Sequence, residues 1–211
     1  MERLQQYDVV VVGGGTAGVS AAVGAAKTGA KTLLIERNAY LGGEATNSGV
    51  SAFCGFYTCG ENPVRVVEGV GRLVLNEMEA LGPTVDYVIS ATGNRNINFQ
   101  PEYLKCAMDN LLEKERVDYL LHTSVIGADT ENGTITAIHC VDDEGTFTVA
   151  AKAFVDASGD ANLVHRSGAK LIWGGDDGHP QAATMPFRLR FSRAKGSTGS
   201  RANTAPIGQR N

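Results

Sequence analysis

The spacing of apolar residues changes twice along the chain, and those changes outline the fold. Residues 8–12 are a short β-branched run after Asp8, too brief for a helix, and predict a strand buried on both faces. A glycine cluster follows at once. Residues 19–27 are then rich in Ala and other small residues, which suits a helix lying close on a sheet, with Gly29 as its natural stop. Residues 31–36 give a second apolar strand ending on Glu36. Strand, turn, helix and strand in this order predict a right-handed βαβ unit with parallel strands.

Residues 42–60 lose all periodicity and predict a long loop. Helical spacing returns over 64–81, where Val66, Val67, Val70, Leu73, Val74 and Met78 share a face, and Gly82-Pro83 end it. It returns again over 103–115, with Leu104, Ala107, Met108, Leu111 and Leu112 on one side. Between these helices, 86–99 predict a short strand and a loop. After 117 the period drops to two. A strand at 117–121 precedes a three-stranded meander over 122–128, 134–141 and 146–154, with turns at Glu131-Asn132-Gly133 and Asp143-Glu144-Gly145. Residues 154–160 predict a further buried strand entering a glycine turn, and 161–168 a helix. From 192 to 211 the chain is polar and almost free of apolar residues, the composition of a disordered or foreign tail.

Composition narrows the function. Hydrophobic residues make up 43% and charged residues 20% of 211, which excludes a disordered chain. No apolar run is long enough to span a bilayer. Net charge is −4, so nucleic acid is not the expected partner, and a bound phosphate must be held by backbone N–H groups. Four cysteines are too few for a disulfide scaffold. With no charged leader or apolar signal core at the start, a cytoplasmic location and a small-molecule substrate are expected.

The glycine cluster Gly13-Gly14-Gly15-Thr16-Ala17-Gly18 is a G-x-G-x-x-G turn. Gly13 permits the tight exit from the strand, Gly15 lets backbone approach a diphosphate, and Gly18 lets helix and sheet close together. The helix start, with Thr16 and Ala17 in its first turn, then offers unpaired N–H groups and a positive dipole end. Glu36 closes the next strand about 20 residues on, where an acid accepts hydrogen bonds from a ribose diol and repels a 2′-phosphate. The turn alone leaves FAD and NAD both open.

Two further stretches carry a family resemblance. Leu41-Gly42-Gly43-Glu44-Ala45-Thr46-Asn47-Ser48-Gly49-Val50, directly after Arg37-Asn38-Ala39-Tyr40, is similar to the Gly-Gly element of two-dinucleotide-binding flavoproteins. More closely, it is similar to a bacterial family of FAD-dependent oxidoreductases related to the flavoprotein subunit of heterodisulfide reductase. Phe154-Val155-Asp156-Ala157-Ser158-Gly159-Asp160 resembles that family's second signature, usually written with Thr at the place of Ser158. The resemblance covers residues 6 to about 190.

It implies an α/β, Rossmann-like FAD/NAD(P)-binding three-layer fold of parallel sheet, helices and β-meander. It implies flavin-mediated hydride transfer with FAD. Gly13 to Gly18 would hold the diphosphate and Glu36 the adenosine ribose. Arg37 would lie near the adenine, and Gly42 and Gly43 near the diphosphate and ribityl. Val125 would offer its backbone to the adenine edge, and Ser158 and Gly159 would close over the dinucleotide. The domain organisation expected is 1–50 as the first FAD-binding segment, 51–116 as an inserted helical or substrate segment, 117–170 as meander and second signature, and 171–191 as the start of a substrate domain. Family members are longer and return to the FAD domain near their C-terminus, so the expectation is an incomplete, C-terminally truncated member that binds at most the ADP half of FAD.

Other residues invite chemistry. Cys54 and Cys59 have C-x₄-C spacing, but the redox pair of glutathione-reductase-like flavoenzymes would fall at Ala45 and Val50, so incidental thiols are expected. Relatives in the heterodisulfide-reductase group hold iron–sulfur clusters, yet Cys54, Cys59, Cys106 and Cys140 lack the paired spacing that a cluster needs. Gly175-Asp176-Asp177-Gly178 mimics the Gly-Asp motif of flavin hydroxylases without the glycine-rich helix that should follow. His165 and His179 are possible flavin neighbours, and Arg72, Arg95, Arg188 and Arg190 are candidates to grip a carboxylate. No catalytic residue emerges from this set. Two rival readings remain: an NAD-dependent dehydrogenase, which leaves the meander and second signature unexplained, and a non-catalytic nucleotide-binding remnant.

Overall fold

The computed structural model describes residues 4–83, 85–90 and 93–186. The 192–211 tail, Arg188 and Arg190 lie outside the described residues. β1 (Leu4–Val12) and β2 (Thr32–Ile35) pair in parallel through α1 (Thr16–Lys27), as a βαβ unit requires. β6 (Asp118–Leu120) joins the far side of β2, also in parallel. The meander is β7 (Ser124–Glu131), β8 (Thr134–Asp142) and β9 (Gly145–Asp156), all antiparallel neighbours. Together they form a six-stranded sheet in the order β6-β2-β1-β9-β8-β7.

That order dictates the shape. β6 and β7 lie at opposite ends of the sheet, yet only residues 121–123 separate them in sequence. The sheet must therefore curl until the meander crosses the face away from the helices. The buried side chains agree. Ile138, Cys140, Phe147 and Val149 of the meander cluster with Val10, Val12, Leu33 and Ile35 on one face of β1 and β2. The alternate residues Val11 and Leu34 point into a second cluster, with Val19, Ala22 and Val23 of α1 and Leu104, Ala107, Met108, Leu111 and Leu112 of α4 (Pro101–Lys114).

Several elements differ from the sequence reading. The expected loop over 42–60 contains the short helix α2 (Glu44–Asn47) and β3 (Ala52–Phe53). Helix α3 is Val70–Ala80 and starts six residues later than its periodicity suggests. The reason is local: the Thr58 N–H donates to the Val64 carbonyl (2.8 Å) and the Val66 N–H to the Phe56 carbonyl (2.8 Å), so these groups are committed to a loop contact. Residues 86–99 hold two strands, β4 (Tyr87–Ile89) and β5 (Arg95–Asn98), which make a small antiparallel sheet with β3.

The third meander strand and the strand before the second signature are one strand. β9 runs unbroken, pairing with β8 on one edge and in parallel with β1 from Leu4–Thr148 to Val12–Asp156 on the other. The last helix, α5, is only Asn162–Arg166. Beyond it, residues 169–186 contain no helix or strand. The buried residues of 51–116 share the α1–β2 core. No described helix is long and apolar enough to cross a membrane.

Candidate functional site

Three glycine elements meet at the C-terminal ends of β1, β2 and β9. The Gly13 N–H donates to the Ile35 carbonyl (2.8 Å), and the Ala157 N–H donates to the Val12 carbonyl (2.8 Å). Gly13 takes φ +106°, and a Cβ there would sit 2.6 Å from the Ala157 carbonyl carbon. Only glycine satisfies both conditions. A Cβ on Gly18 would strike the Gly13 carbonyl oxygen, so the turn and helix close as the motif demands.

The Gly-Gly element lies against the same turn. Gly42 bridges Gly15, its N–H donating to the Gly14 carbonyl (2.8 Å). Gly43 has φ +55°, and a Cβ on it would come within 3.0 Å of Gly15 Cα. A Cβ on Gly15 has more room, 3.8 Å from Gly43 Cα. The buried Thr46 hydroxyl fixes the loop by donating to the Leu41 carbonyl (2.7 Å). Thr16 and Ala17 are exposed at the opening of α1, which carries neither an acid in its first turn nor a side-chain cap. Its N–H groups and dipole therefore face an open slot beside Gly15 and Gly43.

Glu36 is 6% exposed. One carboxylate oxygen accepts the Gly14 N–H (2.6 Å); the other accepts the Asn38 N–H (2.8 Å) and the Asn38 side-chain amide (2.6 Å). A carboxylate offers about four lone-pair sites, so one remains for a ligand hydroxyl. Backbone bonds from Glu36 N–H to Leu120 and from Thr123 N–H to Glu36 (2.8 and 3.0 Å) tie this corner to the β6–β7 connection.

A cavity of about 130 Å³ opens here. Val12, Gly13 and Glu36 to Arg37 form one side, Thr123 to Val125 a second, and Ser158, Asn162 and Arg166 a third. Val125 is buried on β7, which among the described strands is an edge of the sheet.

Asp156 organises the third wall. Its carboxylate accepts the Ser158 hydroxyl (2.6 Å), the Ser158 N–H (3.0 Å) and the Val164 N–H (2.9 Å). Burial opposes its ionisation, but these hydrogen bonds prevail and hold the carboxyl below the usual range. The Ser158 hydroxyl in turn accepts the Asn162 N–H (2.8 Å). Gly159 follows in the left-handed region at φ +86°.

Thus Gly13, Glu36, Arg37, Val125 and Ser158 line one cavity, and Gly42 and Gly43 pack against Gly15 two residues along from Gly13. Asn38, Asp156, Asn162 and Arg166 were not expected. Asp156 lies inside the second signature and Asn38 two places after the acid, while Arg166 carries no signal in the sequence.

The remaining candidates lie elsewhere. Arg72 ion-pairs with Glu79 (3.7 Å), and Arg95 donates to the Gly60 and Gly93 carbonyls. His165 and His179 are exposed, and His179 belongs to a turn closed on Gly175 (2.9 Å). Cys54, Cys59 and Cys106 are exposed free thiols; burial pushes the Cys140 thiol up to about 12. Among the described residues no three His, Cys, Asp or Glu side chains gather as a metal site.

The family described as FAD dependent oxidoreductase matches residues 8–205. Thiamine thiazole synthase of Aeropyrum pernix is 30% identical over 180 residues, covering 79% of this chain and 59% of the relative. Digeranylgeranylglycerophospholipid reductase 1 of Methanococcoides burtonii is 25% identical over 191 residues, covering 82% of this chain and 41% of the relative. Among solved structures, a geranylgeranyl bacteriochlorophyll reductase-like protein of Thermoplasma acidophilum superposes with TM-score 0.55 at 22% identity, covering 80% of this chain and 43% of that one. THI4 of Thermovibrio ammonificans gives 0.53 at 19% identity, covering 76% and 61%. The chain spans less than two thirds of the length of these relatives. The structural likenesses establish a shared Rossmann-type fold.

Proposed function

The chain belongs to the FAD dependent oxidoreductase family, and we propose that it holds FAD at the junction of its three glycine elements and serves flavin-mediated oxidation or reduction of a small molecule. Glu36 would take a ribose hydroxyl on its remaining lone-pair site. The amides opening α1 at Thr16, Ala17 and Gly18 would neutralise the diphosphate, with Gly15, Gly42 and Gly43 leaving it room. Arg37 and Val125 would border the adenine, and Ser158 and Gly159 would close the adenosine side. The flavin itself supplies hydride exchange; the chain's residues bind and orient it.

One observation carries this reading: the Gly14 N–H hydrogen-bonds the buried Glu36 carboxylate that lines the cavity, and the next residue, Gly15, is bridged to Gly42 of the Gly-Gly element. An acid there also disfavours a 2′-phosphate. Titration with FAD, followed by the visible flavin band and by displacement with ADP, tests it. Saturable flavin binding that ADP displaces is expected. Binding of NAD in preference to both FAD and ADP would overturn it.

A further inference from the structure

We propose that Arg166 is a further nucleotide-binding residue, closing the adenosine cavity from α5 by laying its guanidinium on the purine face. This deepens the dinucleotide reading above and rests on it. A purine presents two flat faces that need planar, weakly hydrated partners. Among the described residues no aromatic ring lines the cavity; the planar cationic groups there are the guanidiniums of Arg37, next to the β2 acid, and Arg166, on α5. A guanidinium stacks on an aromatic face where an ammonium cannot match it.

Arg166 is held for that role. Its Nη1 donates to the Asn162 carbonyl (3.2 Å) and lies 3.5 Å from the Asn162 side-chain oxygen, and Asn162 lines the same cavity. Asn162 is fixed by the Ser158 hydroxyl, which is fixed by Asp156. Among the described residues neither Arg166 nor Arg37 forms an ion pair, so both cations remain available beside a cavity that already contains the Glu36 carboxylate. That carboxylate argues for a purine, rather than a second phosphate, as the group the arginines meet.

Calorimetric titration of the whole chain with ADP, inorganic pyrophosphate and 2′,5′-ADP tests the assignment. Arg166→Ala and Arg166→Lys are each expected to weaken ADP about five- to tenfold, leave pyrophosphate unchanged and leave the nucleotide-free melting temperature unchanged. Wild type is expected to prefer ADP to 2′,5′-ADP. Equal ADP affinity in Arg166→Ala and wild type overturns the proposal while the dinucleotide reading stands. Rescue by Lys, or a preference for 2′,5′-ADP, overturns it too, because either makes Arg166 a phosphate contact. Wild type that binds no ADP overturns the dinucleotide reading itself.

Discussion

Replacing Glu36 with Gln separates two jobs of the acid, one of which needs no nucleotide. In the folded chain the two carboxylate oxygens accept three N–H groups, from Gly14 and Asn38, at 2.6 to 2.8 Å. A glutamine amide has a single accepting oxygen. If that oxygen keeps Asn38, the new NH₂ faces the Gly14 N–H; if it turns to Gly14, the NH₂ faces both Asn38 donors. Either orientation leaves a donor unsatisfied at a site where the side chain is 6% exposed. An orphaned buried donor costs about 1–3 kcal/mol, and the bonds that survive lose their charge assistance. A loss of about 2 kcal/mol corresponds to about 4–8 °C in melting temperature for a chain of this size. Thermal unfolding followed by circular dichroism at neutral pH, without nucleotide, reads it directly. A cycle with Asn38→Ala and the double variant should show coupling, since both changes act on the same hydrogen-bonded pair. An E36Q variant that melts with wild type would refute the view that Glu36 holds the phosphate turn to the β2–β6 edge.

Two further outcomes follow from the same geometry. Gly15→Ala should fold with little loss, because its Cβ clears Gly43 Cα by 3.8 Å, yet should abolish most FAD or ADP binding; Gly43→Ala, at φ +55° and within 3.0 Å of Gly15, should instead lower the melting temperature. Comparable melting losses in both would contradict the slot. Asp156 sets an acid dependence: its carboxyl is held below the ordinary range when folded, so its stabilisation is present above about pH 4 and is lost as pH falls through the lowered value. Asp156→Asn should flatten the acid limb of the melting-temperature profile, and superimposable limbs would count against that role.

The βαβ unit, the phosphate turn and the acid at the end of β2 were legible because each depends on residues close in sequence. Four valines cannot turn into a helix before Gly13, and Gly18 has to admit the Gly13 carbonyl whatever else the chain does. Local backbone chemistry also explains what failed. Periodicity alone began α3 at 64, but the backbone of 64–66 bonds to residues 56–58, a pairing that no window over the helix contains. β9 read as two strands because its neighbours change along its length: β8 beside its first half, β1 beside its whole span from Thr148 onward.

The amino-acid order by itself determined the elements of the crevice: glycines where backbones touch, an acid on a strand end, and a second signature far downstream. Only the tertiary fold decided that they share one crevice. The short 121–123 link forces the ends of the sheet together, and that curl brings β7 and α5 to the acid. Asn38, Asp156 and Arg166 gain their roles from that closure, because hydrogen bonds and cavity walls depend on distance in space, which the spacing of residues along a chain does not encode.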